Sequence, residues 1–187
     1  MINAAIFASG EGTNAENIIK HFTNDPRIKI KLVITNRDDA GVVARAEKYK
    51  KNVQIISKEA LNNYSHKIIE FLQAEKIDLI ILAGFLLKIP EAFVKAFPNK
   101  IVNIHPALLP KHGGKGMYGM NVHKAVIENK ETESGFSIHF VNEEYDKGEL
   151  ILQAKCKVDT NETPETLALK IRELEHEYFP KAIEKLL

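Results

Sequence analysis

Ile101-Val102-Asn103-Ile104-His105-Pro106-Ala107-Leu108-Leu109-Pro110 is the stretch on which the rest of the chain turns. Its apolar first half has the character of a buried strand, and its two prolines take the backbone out of a sheet. Successive strand residues point to opposite faces, so Asn103 and His105, two apart, project together. Burying an amide and an imidazole without partners costs about 1 to 3 kcal/mol for each unsatisfied group. The pair is therefore either hydrogen-bonded in a core or turned toward a pocket. The glycine-bearing segment that follows favours the pocket.

The flanking sequence alternates strand and helix. Ile2 to Ala8 is an apolar run that enters Ser9-Gly10-Glu11-Gly12-Thr13-Asn14, and helical spacing follows from Ala15 to Phe22. A glycine loop between strand and helix brings backbone N–H groups and a positive dipole end to one place, which suits a phosphate. Asp25-Pro26 ends that helix, Ile28 to Thr35 is a second strand, and Ala40 to Tyr49 a short helix. Val53 to Ile56 is a third strand and His66 to Ala74 a further helix. Asp78 to Ala83 is apolar without alternation, as a central parallel strand covered on both faces requires. Gly84 to Ile89 leaves it as an apolar loop, and Pro90 opens a short helix through Phe97.

Beyond the opening stretch, Lys111 to Asn121 is too rich in glycine for a regular element, and Val122 to Glu128 is helical. Phe136, Ile138 and Phe140 alternate as a sixth strand. A turn from Asn142 to Gly148 leads to a seventh, with Leu152, Ala154, Cys156 and Val158 on one face. Thr163-Pro164 opens the last helix, whose Leu167, Ile171, Leu174 and Tyr178 share a stripe, with Glu175 beside it. Pro180 is expected to kink or interrupt it. The pattern predicts an α/β fold: a doubly wound, mostly parallel seven-stranded sheet with an antiparallel edge near the C-terminus, in one domain over 1–187. Such sheets bind ligands outside the carboxyl ends of their strands.

Composition narrows the function. Twenty-six Lys and Arg against 25 Asp and Glu give a net charge of +1, so no bulk electrostatic force favours nucleic acid or a membrane surface. A single cysteine rules out an internal disulfide framework, and no histidine pair has metal-ligand spacing. No apolar run is long enough to cross a bilayer and no targeting segment is evident, so a cytoplasmic protein is expected. Gly10, Gly12 and Ala15 fit a loose dinucleotide pattern, but Thr35-Asn36-Arg37 stand where a ribose-binding acid is required. A smaller phosphorylated ligand fits better. At the strand ends, His105, Asn103 and Asp146 together suit attack on a carbonyl. The carboxylate favours a charged imidazole, and the amide adds a second donor to an oxyanion. His112, His123, His139 and His176 are expected to be loop, surface or hydrogen-bonded residues, and Cys156 a small core residue.

With Asn103-Ile104-His105-Pro106-Ala107-Leu108-Leu109-Pro110, Ser9 to Asn14, the Asp146 turn, Leu82-Ala83-Gly84-Phe85 and Glu175-His176-Glu177-Tyr178-Phe179-Pro180 in view, the sequence resembles the phosphoribosylglycinamide formyltransferase family along essentially its whole length. The resemblance implies a Rossmann-like formyltransferase fold and direct transfer, with neither a metal nor a covalent enzyme intermediate. The formyl group of the co-substrate 10-formyltetrahydrofolate passes to glycinamide ribonucleotide in purine biosynthesis. It implies His105, Asn103 and Asp146 as the catalytic set. It implies Gly12, Thr13 and Asn14 as phosphate ligands, and Arg172 and Glu175 as further ribonucleotide contacts. Leu86, Leu87, Lys88, Ile89, Asn103, Asn142, Glu143, Glu144, Tyr145 and Asp146 would line the folate site. The implied partners are these small molecules alone, with no nucleic acid and no membrane, in a monomer or homodimer. His112 to Met120 is longer and richer in glycine than in the family and is expected to act as a lid.

Overall fold

A computed structural model describes all 187 residues. Contacts divide the chain into two compact units, residues 1–103 with Leu187 and residues 104–186. The first holds β1 (Ile2–Phe7), α1 (Thr13–His21), β2 (Ile28–Thr35), α2 (Gly41–Lys48), β3 (Asn52–Ile55), α3 (Lys58–Asn63), α4 (Ser65–Ala74), β4 (Leu79–Leu82), α5 (Glu91–Ala96) and most of β5 (Ile101–His105). The second holds the end of β5, then α6 (Met120–Glu128), β6 (Glu133–Phe140), β7 (Leu150–Lys157) and α7 (Pro164–Glu184). The strands follow the order β3-β2-β1-β4-β5-β6-β7. Pairing from β3 through β5 is parallel and that of β6 with β7 antiparallel, the mixed sheet expected from the sequence.

In the first unit the central strands are apolar on both faces because helices cover both. Ala4, Ala5, Ile6 and Phe7 of β1 and Ile80 and Ile81 of β4 have no exposed surface. Phe7 meets Phe85 and Phe93 edge to face, with ring centroids 5.3 and 6.5 Å away. Phe7 lies in register with Leu82, and Leu82 with Asn103. The segments that leave β1 and β4 and the side chain of Asn103 therefore share the carboxyl edge of the parallel strands. Helix α1 starts earlier than periodicity suggested, because Gly12 turns the chain at φ 73 straight into helical geometry. Helix α3 was not foreseen: at six residues it is too short to show a period, and its signal is the cap, where Ser57 Oγ accepts from the Ala60 N–H at 3.1 Å.

In the second unit, β6 is buried on both faces. Phe136 and Ile138 have no exposed surface on one side, nor does Ser137 on the other. On β7 the alternation is as read: Leu152, Ala154 and Cys156 are half-buried between exposed Gln153, Lys155 and Lys157. Helix α7 is capped by Thr163 and Thr166, each accepting from the other's backbone N–H. It is not interrupted at Pro180 but runs on to Glu184. Phe179, Pro180, Ala182 and Ile183 are all buried, so packing outweighs the lost backbone bond. Helix α6 also starts two residues before the expected Val122, drawing Met120 and Asn121 out of the glycine-rich segment.

Candidate active site

The glycine loop after β1 is tied down from behind. The Gly10, Glu11 and Gly12 carbonyls accept from Val42 N–H at 3.1 Å, Arg45 Nε–H at 2.7 Å and Glu16 N–H at 2.9 Å. Ser9, 2% exposed, donates to Asn36 Oδ1 at 2.5 Å and accepts from the Leu86 N–H at 2.9 Å, joining this loop to the segment after β4. A Cβ on Gly12 would lie 2.5 Å from Val42 Cβ, so the close approach of α2 requires glycine there as much as its φ does. The residue that caps α1 is Gly12, which has no side chain to offer the helix. The N-terminus of a helix carries the positive end of its dipole, so a turn of this shape before α1, at Gly12, Thr13 and Asn14, is suited to an anion.

His105 ends β5 and is 3% exposed. Its Nε2 lies 2.8 Å from the carbonyl oxygen of His112. A carbonyl only accepts, so Nε2 carries the hydrogen and the second ring nitrogen, Nδ1, is the basic one. Nδ1 stands 3.6 Å from Asp146 Oδ2. The other oxygen of Asp146 lies 3.6 Å from His139 Nε2, while His139 Nδ1–H donates to the Phe140 carbonyl at 2.8 Å. Gly114 N–H donates to Asp146 Oδ2 at 2.8 Å. Asp146 itself sits at φ 54, a left-handed conformation that aspartate tolerates better than most residues. Its turn closes because residue 148 is glycine: a Cβ there would lie 1.6 Å from the Phe140 carbonyl oxygen.

Electrostatics follow from this packing. Burial pushes the His105 imidazole below its ordinary range, against the pull of the Asp146 carboxylate and the His112 carbonyl, and the rings of His139 and His112 add to the lowering. The free site therefore favours neutral His105, whereas the sequence pointed to a standing imidazolium; the desolvation of a nearly sealed ring accounts for the difference. Burial alone would raise the Asp146 carboxyl, but His139, the Gly114 N–H and His105 hold it below the usual carboxylate range.

The remaining sequence-selected residues divide. Asn103 is half-buried at the end of the parallel strands. Leu86 is 54% exposed, Leu87 half-buried and Lys88 exposed, but Ile89 is 6% exposed and contributes its side chain to the interior. Asn142 Oδ1 accepts from the Glu144 N–H at 3.1 Å, which shapes the turn that carries Glu143 and Tyr145 toward Asp146. Arg172 is exposed and Glu175 half-buried, one turn apart on α7. His139 is hydrogen-bonded, as expected, but its place beside Asp146 was not read from the sequence, and His123 is buried in α6 rather than at the surface. His139 carries a signal in hindsight, since it alternates with Ile138 and so takes the face opposite the apolar core. His123 is 5% exposed, with Nδ1 unpartnered, and is pushed below the ordinary imidazole range first by burial and then by the charges of Arg172 and His105.

The second unit thus carries a buried histidine–carboxylate pair where β5 ends, and the first a glycine turn at the start of α1. The chain belongs to the formyl transferase family, whose model matches residues 2–183. Among its relatives, the chloroplastic phosphoribosylglycinamide formyltransferase of Arabidopsis thaliana is 40% identical over 96% of this chain and 63% of its own length. The phosphoribosylglycinamide formyltransferase of Haemophilus influenzae is 35% identical over 98% of this chain and 86% of its own length. The chain thus spans about three-fifths of the plant relatives but most of the bacterial one. A solved structure of glycinamide ribonucleotide transformylase 1 from Geobacillus kaustophilus superposes with a TM-score of 0.91 at 31% identity, covering 100% of this chain and 99% of that one.

Proposed function

We propose that this protein is a phosphoribosylglycinamide formyltransferase, a single formyltransferase domain over residues 1–187 that moves the formyl group of 10-formyltetrahydrofolate to the amine of glycinamide ribonucleotide. The observation that carries the proposal is His105 held by the His112 carbonyl on one side and Asp146 on the other, in a chain of this family. The glycine turn at Gly12, Thr13 and Asn14 holds the substrate phosphate, and Arg172 and Glu175 hold the rest of the ribonucleotide. Leu86 to Ile89, Asn103 and the turn from Asn142 to Asp146 receive the folate. Ile89 acts through its backbone, since its side chain is interior. The protein works in the cytoplasm as a monomer or homodimer.

The amine nitrogen bonds to the formyl carbon, and the carbonyl electron pair moves to the formyl oxygen. Asn103 donates to that oxygen. Neutral His105 takes the excess proton of the attacking nitrogen on Nδ1. It becomes an imidazolium beside both the new oxyanion and Asp146, then returns the proton to the folate nitrogen as the carbon–nitrogen bond breaks and the carbonyl re-forms. Formyl glycinamide ribonucleotide and tetrahydrofolate leave. Acid–base help of this kind contributes about 10² to 10⁴ in rate, and an oxyanion donor about 10² to 10³. Of the expected lid from His112 to Met120, the part between the anchor at Gly114 and the start of α6 at Met120 closes over the folate.

The test follows loss of 10-formyltetrahydrofolate with and without glycinamide ribonucleotide. Consumption only when the ribonucleotide is present supports transfer; equal consumption without it makes the protein a hydrolase and overturns the assignment.

A further inference from the structure

Away from the reacting groups, the first unit carries a charge cluster around one buried carboxylate on the back of the glycine loop. Glu16 of α1 is 7% exposed, yet its carboxylate is paired with Arg45, with Lys48 and Lys20 each at 3.3 Å and with the Tyr49 hydroxyl at 3.2 Å. Burial would raise this carboxyl, but its partners, Arg45 foremost, lower it to about 2. Arg45 does a second thing with the same guanidinium: its Nε–H donates to the Glu11 carbonyl at 2.7 Å. A surface helix pair needs no such bond, and this one lands on the loop between Gly10 and Gly12.

The consequence follows from peptide geometry. In a trans peptide the C=O and the next N–H point in opposite directions. Fixing the carbonyls of Gly10, Glu11 and Gly12 therefore fixes the N–H directions of Glu11, Gly12 and Thr13. The Gly10 and Gly12 carbonyls are held by backbone donors, Val42 and Glu16, whereas the Glu11 carbonyl is held by a side chain. The space is also tight, since a Cβ on Gly41 would lie 3.1 Å from Glu11 Cα. The Glu11 peptide thus has its plane set by Arg45, and Arg45 has its place set by Glu16 on the very helix whose N-terminus follows the loop.

We infer that Arg45 is a positioning residue for anion binding: locked by Glu16, it turns the Glu11–Gly12 peptide so that the Gly12 N–H faces the ligand, and it does so without touching that ligand. The inference rests on the phosphate-binding role given to this loop. It names the device that specifies a phosphorylated acceptor substrate.

The experiment compares steady-state constants for both substrates in the wild type, Arg45→Met, Arg45→Lys and Glu16→Gln. It adds inhibition by ribose 5-phosphate and thermal melting. Arg45→Met raises KM for the ribonucleotide by about tenfold or more, the scale of a lost orienting hydrogen bond to a charged-ligand site, and leaves kcat and KM for 10-formyltetrahydrofolate within about twofold. Ribose 5-phosphate, competitive in the wild type, weakens in parallel. Glu16→Gln gives a smaller rise of the same selective kind, and it carries the test if Arg45→Met does not fold. Failure of ribose 5-phosphate to compete in the wild type removes the phosphate role of the loop itself. Competition that is equal in wild type and Arg45→Met overturns the role of Arg45 alone. Equal changes in both KM values, or full rescue by melting-neutral Arg45→Lys without the Glu11 bond, reduce Arg45 to a structural brace.

Discussion

Replacing Asp146 by asparagine removes one charge and little else. The amide oxygen still accepts from the Gly114 N–H, and the side chain still fits a turn whose residue at φ 54 tolerates asparagine as well as aspartate. What disappears is the attraction between the carboxylate and the imidazolium that forms on His105. At 3.6 Å, with an effective dielectric of about 20 for a largely enclosed pair, that attraction is about 4 to 5 kcal/mol. His139 shares the same carboxylate, so only part of this is lost in the transition state. The expected fall in kcat is roughly a hundred- to a thousandfold at 1.36 kcal/mol per decade. The assay is single-turnover formyl transfer at saturating substrates, read beside an NMR titration of His105. Because Asp146 raises the His105 pKa, Asp146→Asn lowers it further, and the residual proton transfer to Nδ1 is slower at every pH. A variant that transfers at near wild-type rate, or whose His105 titrates unchanged, refutes the electrostatic role of Asp146.

His139→Phe removes a partner that holds the Asp146 carboxyl down, so the Asp146 pKa rises toward the ordinary range and the acid limb of activity moves to higher pH; NMR of the carboxyl checks it. Gly148→Ala places a Cβ against the Phe140 carbonyl and is expected to cost about 1 to 3 kcal/mol by overpacking, seen as a lower melting temperature, with loss of transfer because the Asp146 turn is displaced. Thr163→Ala removes the cap of α7 and costs about 0.5 to 2 kcal/mol in denaturant unfolding without altering kcat. In the absence of ligands, the lowered pKa values of His105 and Asp146 mean that the unfolded chain binds protons first, so their contribution to stability is present above the ordinary pKa of each group and is lost as pH falls through the folded values; denaturant titration across the acid range checks the sign.

Most of the architecture is written in short-range pattern. The unbroken apolar run of β4 and the alternation on β7 each announce whether one face or two are covered, and the structure has them so. What escaped was set by contacts distant in sequence or by elements too short to show a period. Helix α3 is visible in its Ser57 cap but not in its six residues, and Pro180 is tolerated because buried neighbours outweigh a local penalty. The pairing of Asp146 with His105 was anticipated, since both lie where strand ends converge. The neutral resting state of His105 was not, because burial is a property of the folded surroundings, and neither was His139, whose role depends on a turn that closes only through Gly148.

The most direct trial of the chemistry is rapid-quench transfer from 10-formyltetrahydrofolate to glycinamide ribonucleotide by wild type and His105→Asn, with the dissociation constants of both substrates measured on the same preparations. The expected result is a loss of roughly 10² to 10⁴ in the transfer rate with binding within about threefold. Transfer by His105→Asn at a rate within about tenfold of wild type would contradict the account, because another group would then have to carry the proton.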